Sequence, residues 1–260
     1  MARPRVTRAA RAVGLAASGT ALILTVASPL GPATATGSPT STVVALGDSV
    51  PAGAACGCIP FPDLYARMIT PATTSVNLAL GGSTSADLDG QLRSSAARHA
   101  LRQVDAVLIM SGANDMVPLV EDRSGEAAYR ATAEQVGENV AAAVAALRDL
   151  HGGPLPVLVL VLGYWNVSRD GQAARDSTDP DGLAEADAAT AYVNDALRAA
   201  ARRSGAIYVA TYPAFRGPTG EADPTDLLAD DGDHPNARGH ELIARAAYAS
   251  SERALRAAPR

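Results

Sequence analysis

The chain has 260 residues, a formal net charge of −5, and arginine at all 22 of its basic positions. That length suits one domain with a sizeable buried core. An acidic balance repels polyanions, which excludes nucleic acid and anionic membrane surfaces as partners.

Arg3, Arg5, Arg8 and Arg11 precede an uncharged apolar stretch at about 12–30, and Ala33-Thr34-Ala35 offers the small residues that signal peptidases need. The expectation is a secretory signal over 1–35, a flexible lead-in over 36–42 and one domain over 43–260. A retained anchor competes, but Gly14, Ser18, Gly19, Thr20 and Ser28 dilute the apolar run. Loss of the four arginines would leave 18 basic against 27 acidic residues, a charge of −9. The exported protein is expected to be an extracellular monomer with no stable membrane association.

The first apolar, β-branched run, 42–46, leads into Gly47-Asp48-Ser49-Val50-Pro51-Ala52-Gly53, a serine on a glycine-flanked turn. Cys56 and Cys58 follow, separated only by Gly57, and in an exported chain they are expected to form a disulfide. No second cysteine pair or nearby histidine completes a zinc site, so no metal is expected. Further strand-like runs lie at 75–80, 104–110, 157–162 and 206–209, with helical stretches at 127–150, 184–203 and 237–257. The alternation predicts a parallel sheet with helices on both faces, whose ligands bind beyond the C-terminal strand ends. Ser49, Gly82, Asn114 and Gly163-Tyr164-Trp165-Asn166 each follow one of these strands. His234 lies in the long loop after the fifth, within Asp231-Gly232-Asp233-His234-Pro235.

A serine hydroxyl becomes a nucleophile only when a base takes its proton and donors hold the oxyanion that forms. Four blocks supply these groups in order: the Ser49 turn, Asn77 through Thr84, Ser111 through Asp115, and Asp231 through Pro235. At these blocks the chain resembles the SGNH hydrolases, the GDSL esterase and lipase superfamily. Val50 stands where the family name has leucine, and Ala79 where the second block often has glycine; neither position carries chemistry.

The resemblance implies a three-layer α/β/α sandwich of flavodoxin-like topology that needs no cofactor. It implies Ser49 as nucleophile, His234 as general base and Asp231 as orienting carboxylate, Asp230 and Asp233 being rivals by proximity. The oxyanion hole would comprise the backbone N–H groups of Ser49 and Gly82 and the side-chain amide of Asn114. Gly81 is the alternative to Gly82. Asp48 and Asp115 read as loop-shaping acceptors, and His99, His151 and His240 fit poorly as the base, His240 reading as structural. Trp165, Phe61 and Met116 are candidates to line the substrate pocket, with Ile59, Val117 and Leu119 beside them; packing in the core is the competing role. The expected function is a secreted serine esterase acting through an acyl-enzyme on small-molecule, glycan or lipid esters, with short acyl chains or acetylated carbohydrate favoured. A lipase or phospholipase of the same fold and a non-catalytic secreted binding module are the alternatives.

Overall fold

The computed structural model describes residues 41–151 and 157–257. The expected signal and nearly all of the lead-in lie outside the described residues. Five parallel strands, β1 (Thr42–Gly47), β2 (Thr74–Asn77), β3 (Ala106–Met110), β4 (Leu158–Leu162) and β5 (Ile207–Val209), form one sheet in the order β2-β1-β3-β4-β5. Between and after them run α1 (Ser49–Ala52), α2 (Phe61–Ile69), α3 (Leu88–Arg93), α4 (Ser95–Ala100), α5 (Ala113–Glu121), α6 (Glu126–Leu150), α7 (Gly171–Ser177), α8 (Pro180–Ser204), α9 (Tyr212–Arg216) and α10 (Ala237–Ala257). Helices α6 and α8 pack on each other, as do α2 and α10, giving the expected three-layer sandwich.

Covering both faces of the sheet explains why its strands read as unbroken apolar runs rather than alternating ones. Every residue of β3 is buried, and so are Val43, Val44, Ala45 and Leu46 of β1. Each such aliphatic side chain contributes about 1.5–3 kcal/mol on burial. The apolar stripe of α6 at Val136, Val140, Val144 and Leu147 faces the same core.

Helix α8 starts four residues before the expected 184, because Asp179 accepts a hydrogen bond from Gly182 N–H and Pro180 fits the first helical turn. Its end is set by Gly205, which closes the helix in the left-handed region with φ 64°. The second strand is shorter than the expected 75–80. Regular pairing stops at Asn77, although Leu78 and Leu80 N–H still donate to Ala45 and Gly47 carbonyls on β1. The loop after β2 is therefore anchored to the sheet at its root. Among the described residues no helix is long and apolar enough to cross a membrane.

Candidate active site

Ser49 opens α1 directly beyond the C-terminal end of β1. Gly47 pairs with Met110 on β3, and a side chain at Gly47 would collide with the Met110 carbonyl, so glycine is required there. Asp48 makes the turn. Its N–H donates to Met110 O at 3.1 Å, and its Oδ1 accepts from Val50 N–H at 3.0 Å. Its Oδ2 accepts from the Tyr164 hydroxyl at 2.5 Å. Burial pushes the Asp48 carboxyl up to about 7, against the lowering effect of the Tyr164 and Val50 hydrogen bonds. From α3, the buried Gln91 amide accepts from Gly47 N–H at 2.9 Å and donates to Gly47 O at 2.7 Å. The strand end that carries the serine is thus clamped from two directions.

The loops after β2 and β3 close around the same turn. Asn77 Nδ2 donates to Pro51 O at 2.6 Å, and a Cβ built on Gly81 would stand 3.9 Å from Ser49 Cβ. Gly82 follows at φ 79°, with open space where a side chain would be. Among the described residues no hydrogen bond uses the N–H of Ser49 or Gly82. Asn114, in the first turn of α5, donates one amide hydrogen to Ser83 O at 2.8 Å and retains a second. Asp115 accepts from Ser85 N–H at 2.8 Å and from Ser85 Oγ at 2.7 Å, while Asn139 of α6 donates to Ser85 Oγ at 2.9 Å. Burial raises the Asp115 carboxyl despite these bonds. Asp48 and Asp115 are both loop-shaping acceptors.

The histidine loop is built mainly from its own backbone. Ala229 N–H donates to His234 O at 2.8 Å, and Leu228 and Pro235 form an isolated bridge. Asp170 N–H reaches Gly232 O at 2.7 Å, docking the loop on the start of α7. Asn236 Oδ1 accepts from Arg238 N–H at 3.0 Å and so caps α10. Asp231 Oδ1 accepts from the N–H groups of Asp233 and His234, both at 3.0 Å, and its Oδ2 accepts from His234 Nδ1 at 2.7 Å. That bond places the proton on Nδ1 and leaves Nε2 as the acceptor. For Asp231 burial acts upward, but the hydrogen bonds from His234 and Asp233 outweigh it and the carboxyl lies below its usual range. Of the rivals, Asp233 stands 3.8 Å from Nδ1 and Asp230 is exposed. Asp233 and His234 both lie within electrostatic reach of Asp48, the residue before Ser49.

Two expectations need correction. Trp165, Phe61 and Met116 are 1%, 0% and 0% exposed, so none presents a wall to a substrate. Trp165 stacks on Phe215 with centroids 4.2 Å apart, and Phe61 stacks on His240. Among the described residues, the large apolar side chains that do face solvent are Leu80, at 59%, and Ile59, at 41%. Leu80 and Leu78 line a cleft of about 470 Å³ together with Ser83, Asp87 and Gln91. Lastly, no histidine lies near Cys56 and Cys58 in sequence, yet the fold brings a ring nitrogen of the buried His240 within 4.8 Å of both sulfurs. The two sulfurs are joined as a disulfide. His240 Nδ1 accepts from Phe61 N–H, and burial lowers the imidazole to about 4. Gln91 and Asn139 carried no sequence signal; Tyr164 carried only its place after a strand.

A family model described as the GDSL-like lipase/acylhydrolase family matches residues 45–242. A lipase from a goat rumen metagenome is 19% identical, with a TM-score of 0.66 over 81% of this chain and 97% of that one. Phospholipase A1 from Streptomyces albidoflavus is 18% identical, with a TM-score of 0.59 over 81% and 99% of the two chains. A mutant of an acetyl-xylooligosaccharide esterase from Geobacillus stearmophilus is 18% identical, with a TM-score of 0.56 over 81% and 93%. At these identities the likeness shows the fold. No curated relative matches the chain.

Proposed function

The chain belongs to the GDSL-like lipase/acylhydrolase family, and from that membership we propose that it is a serine esterase working through Ser49, His234 and Asp231. The observation that carries the reading is the 2.7 Å Asp231–His234 bond on a loop within electrostatic reach of the Ser49 turn. Ser49 Oγ attacks the ester carbonyl as His234 Nε2 takes its proton. Asp231 holds the Nδ1 proton and supports the imidazolium that forms. The N–H groups of Ser49 and Gly82 and the free amide hydrogen of Asn114 receive the oxyanion. His234 then protonates the departing alkoxide, and water repeats the sequence on the acyl-enzyme.

Short acyl groups suit this site best. Each buried methylene contributes about 0.8 kcal/mol, and Leu80 and Ile59 are the large apolar side chains exposed among the described residues. The likeness to an acetyl-xylooligosaccharide esterase supports acetylated carbohydrate; the lipase and phospholipase likenesses support the longer-chain alternative. The disulfide supports export, which a mature N-terminus near Thr36 would establish by mass spectrometry.

The test is covalent labelling by a fluorophosphonate, mapped to Ser49, together with rates on p-nitrophenyl esters of increasing length. Labelling at Ser49 and a kcat/KM maximum between acetate and butyrate are expected. Absence of labelling would favour a binding module, and a maximum at about ten carbons or more would favour the lipase reading.

A further inference from the structure

The buried hydroxyl of Tyr164 reaches the nucleophile's turn from the loop after β4, two strands away in the sheet. Its ring is 1% exposed. Its backbone is held on both sides by one side chain of α8: Tyr164 N–H donates to Asn194 Oδ1 at 2.8 Å, and Asn194 Nδ2 donates to Tyr164 O at 2.9 Å. The preceding Gly163 is fixed too, its N–H donating to Val209 O at 3.0 Å and its carbonyl accepting from Thr211 Oγ1 at 2.6 Å. A Cβ at Gly163 would collide with the Tyr208 hydroxyl. The phenol is therefore delivered to a set position, and what it meets there is Asp48 Oδ2.

From this geometry we infer that Tyr164 is a positioning residue for the nucleophile, acting through Asp48, and that Asn194 sets its place. The inference rests on Ser49 being the nucleophile. Asp48 accepts from Val50 N–H and from Tyr164 O–H most strongly when it is ionised, and those two bonds join Asp48 N–H to Met110 O and Asn77 to Pro51 O in holding the first turn of α1 against the end of β1. The groups facing Asp48 are Tyr164 from the β4 loop and Asp233 and His234 from the base loop; Asp115 of α5 acts in turn on Tyr164. Tyr164 and His234 favour the ionised carboxylate, whereas Asp233 and burial oppose it. Removing the phenolic proton donor would shift Asp48 towards its neutral form and loosen the turn, with Ser49 and His234 still present.

Tyr164→Phe separates this from a merely structural role. The expected outcome is a fall in kcat of about ten- to a hundred-fold, the range for losing a buried bond to a charged group, with KM little changed. The acid limb of kcat/KM should also move to higher pH. In Asp48→Asn the limb should lose one proton, falling with a slope near one where the wild type approaches two. Hydrogen exchange at the Val50 amide should quicken in Tyr164→Phe, a readout that needs no substrate. A variant with wild-type kcat, or one that loses thermal stability while its acid limb and Val50 exchange stay put, would overturn the inference. Should Tyr164→Phe fail to fold, Asn194→Ser must show the same shift in smaller measure, and an unshifted limb there is equally fatal. Wild-type protein that neither labels at Ser49 nor hydrolyses esters would refute the esterase reading, while Val50 exchange would still decide whether Tyr164 holds the turn.

Discussion

The two halves of the candidate site are held by different means. The serine side gathers groups distant in sequence: Gln91 grips Gly47, Tyr164 grips Asp48, and Asn139 and Asp115 share Ser85. The histidine side is local, with Asp231 bonded to its own loop at residues 233 and 234 and the loop closed by its own backbone. A nucleophile must meet a carbonyl carbon and an oxyanion hole at once, so its position needs support from several elements. A base needs one orienting partner, which a short turn can carry. The difference teaches that damage on the serine side should spread into folding, while damage on the histidine side should remain chemical.

The largest effects test whether both halves serve one reaction. Ser49→Ala and His234→Ala should each reduce kcat roughly 10⁴-fold or more, and Asp231→Ala should lose about 10- to 100-fold less, because neighbours can partly orient the imidazole. Substantial turnover by Ser49→Ala would end the mechanism proposed above. Asn114→Ala should lower kcat by about 10²- to 10³-fold with a smaller change in KM, as for one oxyanion donor. A change confined to KM would instead make Asn114 a ground-state contact.

Stability sharpens the contrast. Gln91→Leu leaves the N–H and C=O of Gly47 without their side-chain partner, a loss of roughly 2–4 kcal/mol. Asn236→Ala removes the α10 cap, a loss of about 1 kcal/mol. Denaturant melts that rank these in the reverse order would show that the histidine loop, not the serine turn, anchors this end of the sheet.

Asp48 also predicts a pH dependence. Its carboxyl lies near 7 in the fold against 3.8 ordinarily, so the native state holds a proton that the unfolded chain has released. The contribution is therefore fully present below about pH 4, declines as pH rises towards 7, and is constant above. Asp48→Asn removes that decline, so the stability advantage of wild type over the variant should shrink from about pH 4 to 7. A constant difference would mean that Asp48 is ionised throughout. An effect as small as that of Asn236→Ala is expected at Cys56–Cys58, which closes a very short loop: reduction should shift Tm by only a few degrees, about 1 kcal/mol.

What was legible in the sequence was local. A strand running into Gly47-Asp48-Ser49, the glycines after β2, Asn114 after β3 and an aspartate three residues before His234 are each contained within a few residues, so chain order displays them directly. Strand and helix positions followed from periodicity, and the parallel sheet from their alternation. Periodicity identifies an apolar side chain without saying whether core or cleft receives it, which is why Trp165, Phe61 and Met116 pack inside while Leu80 faces the cleft. Nor does it pair residues far apart. Gly47 with Gln91, Asp48 with Tyr164 and Phe61 with His240 are separated by 44, 116 and 179 residues. Their hydrogen bonds exist because the sheet order sets β1 beside β3 and packs α2 on α10, and short polar side chains bond only to what the packed fold leaves within about 3 Å of them.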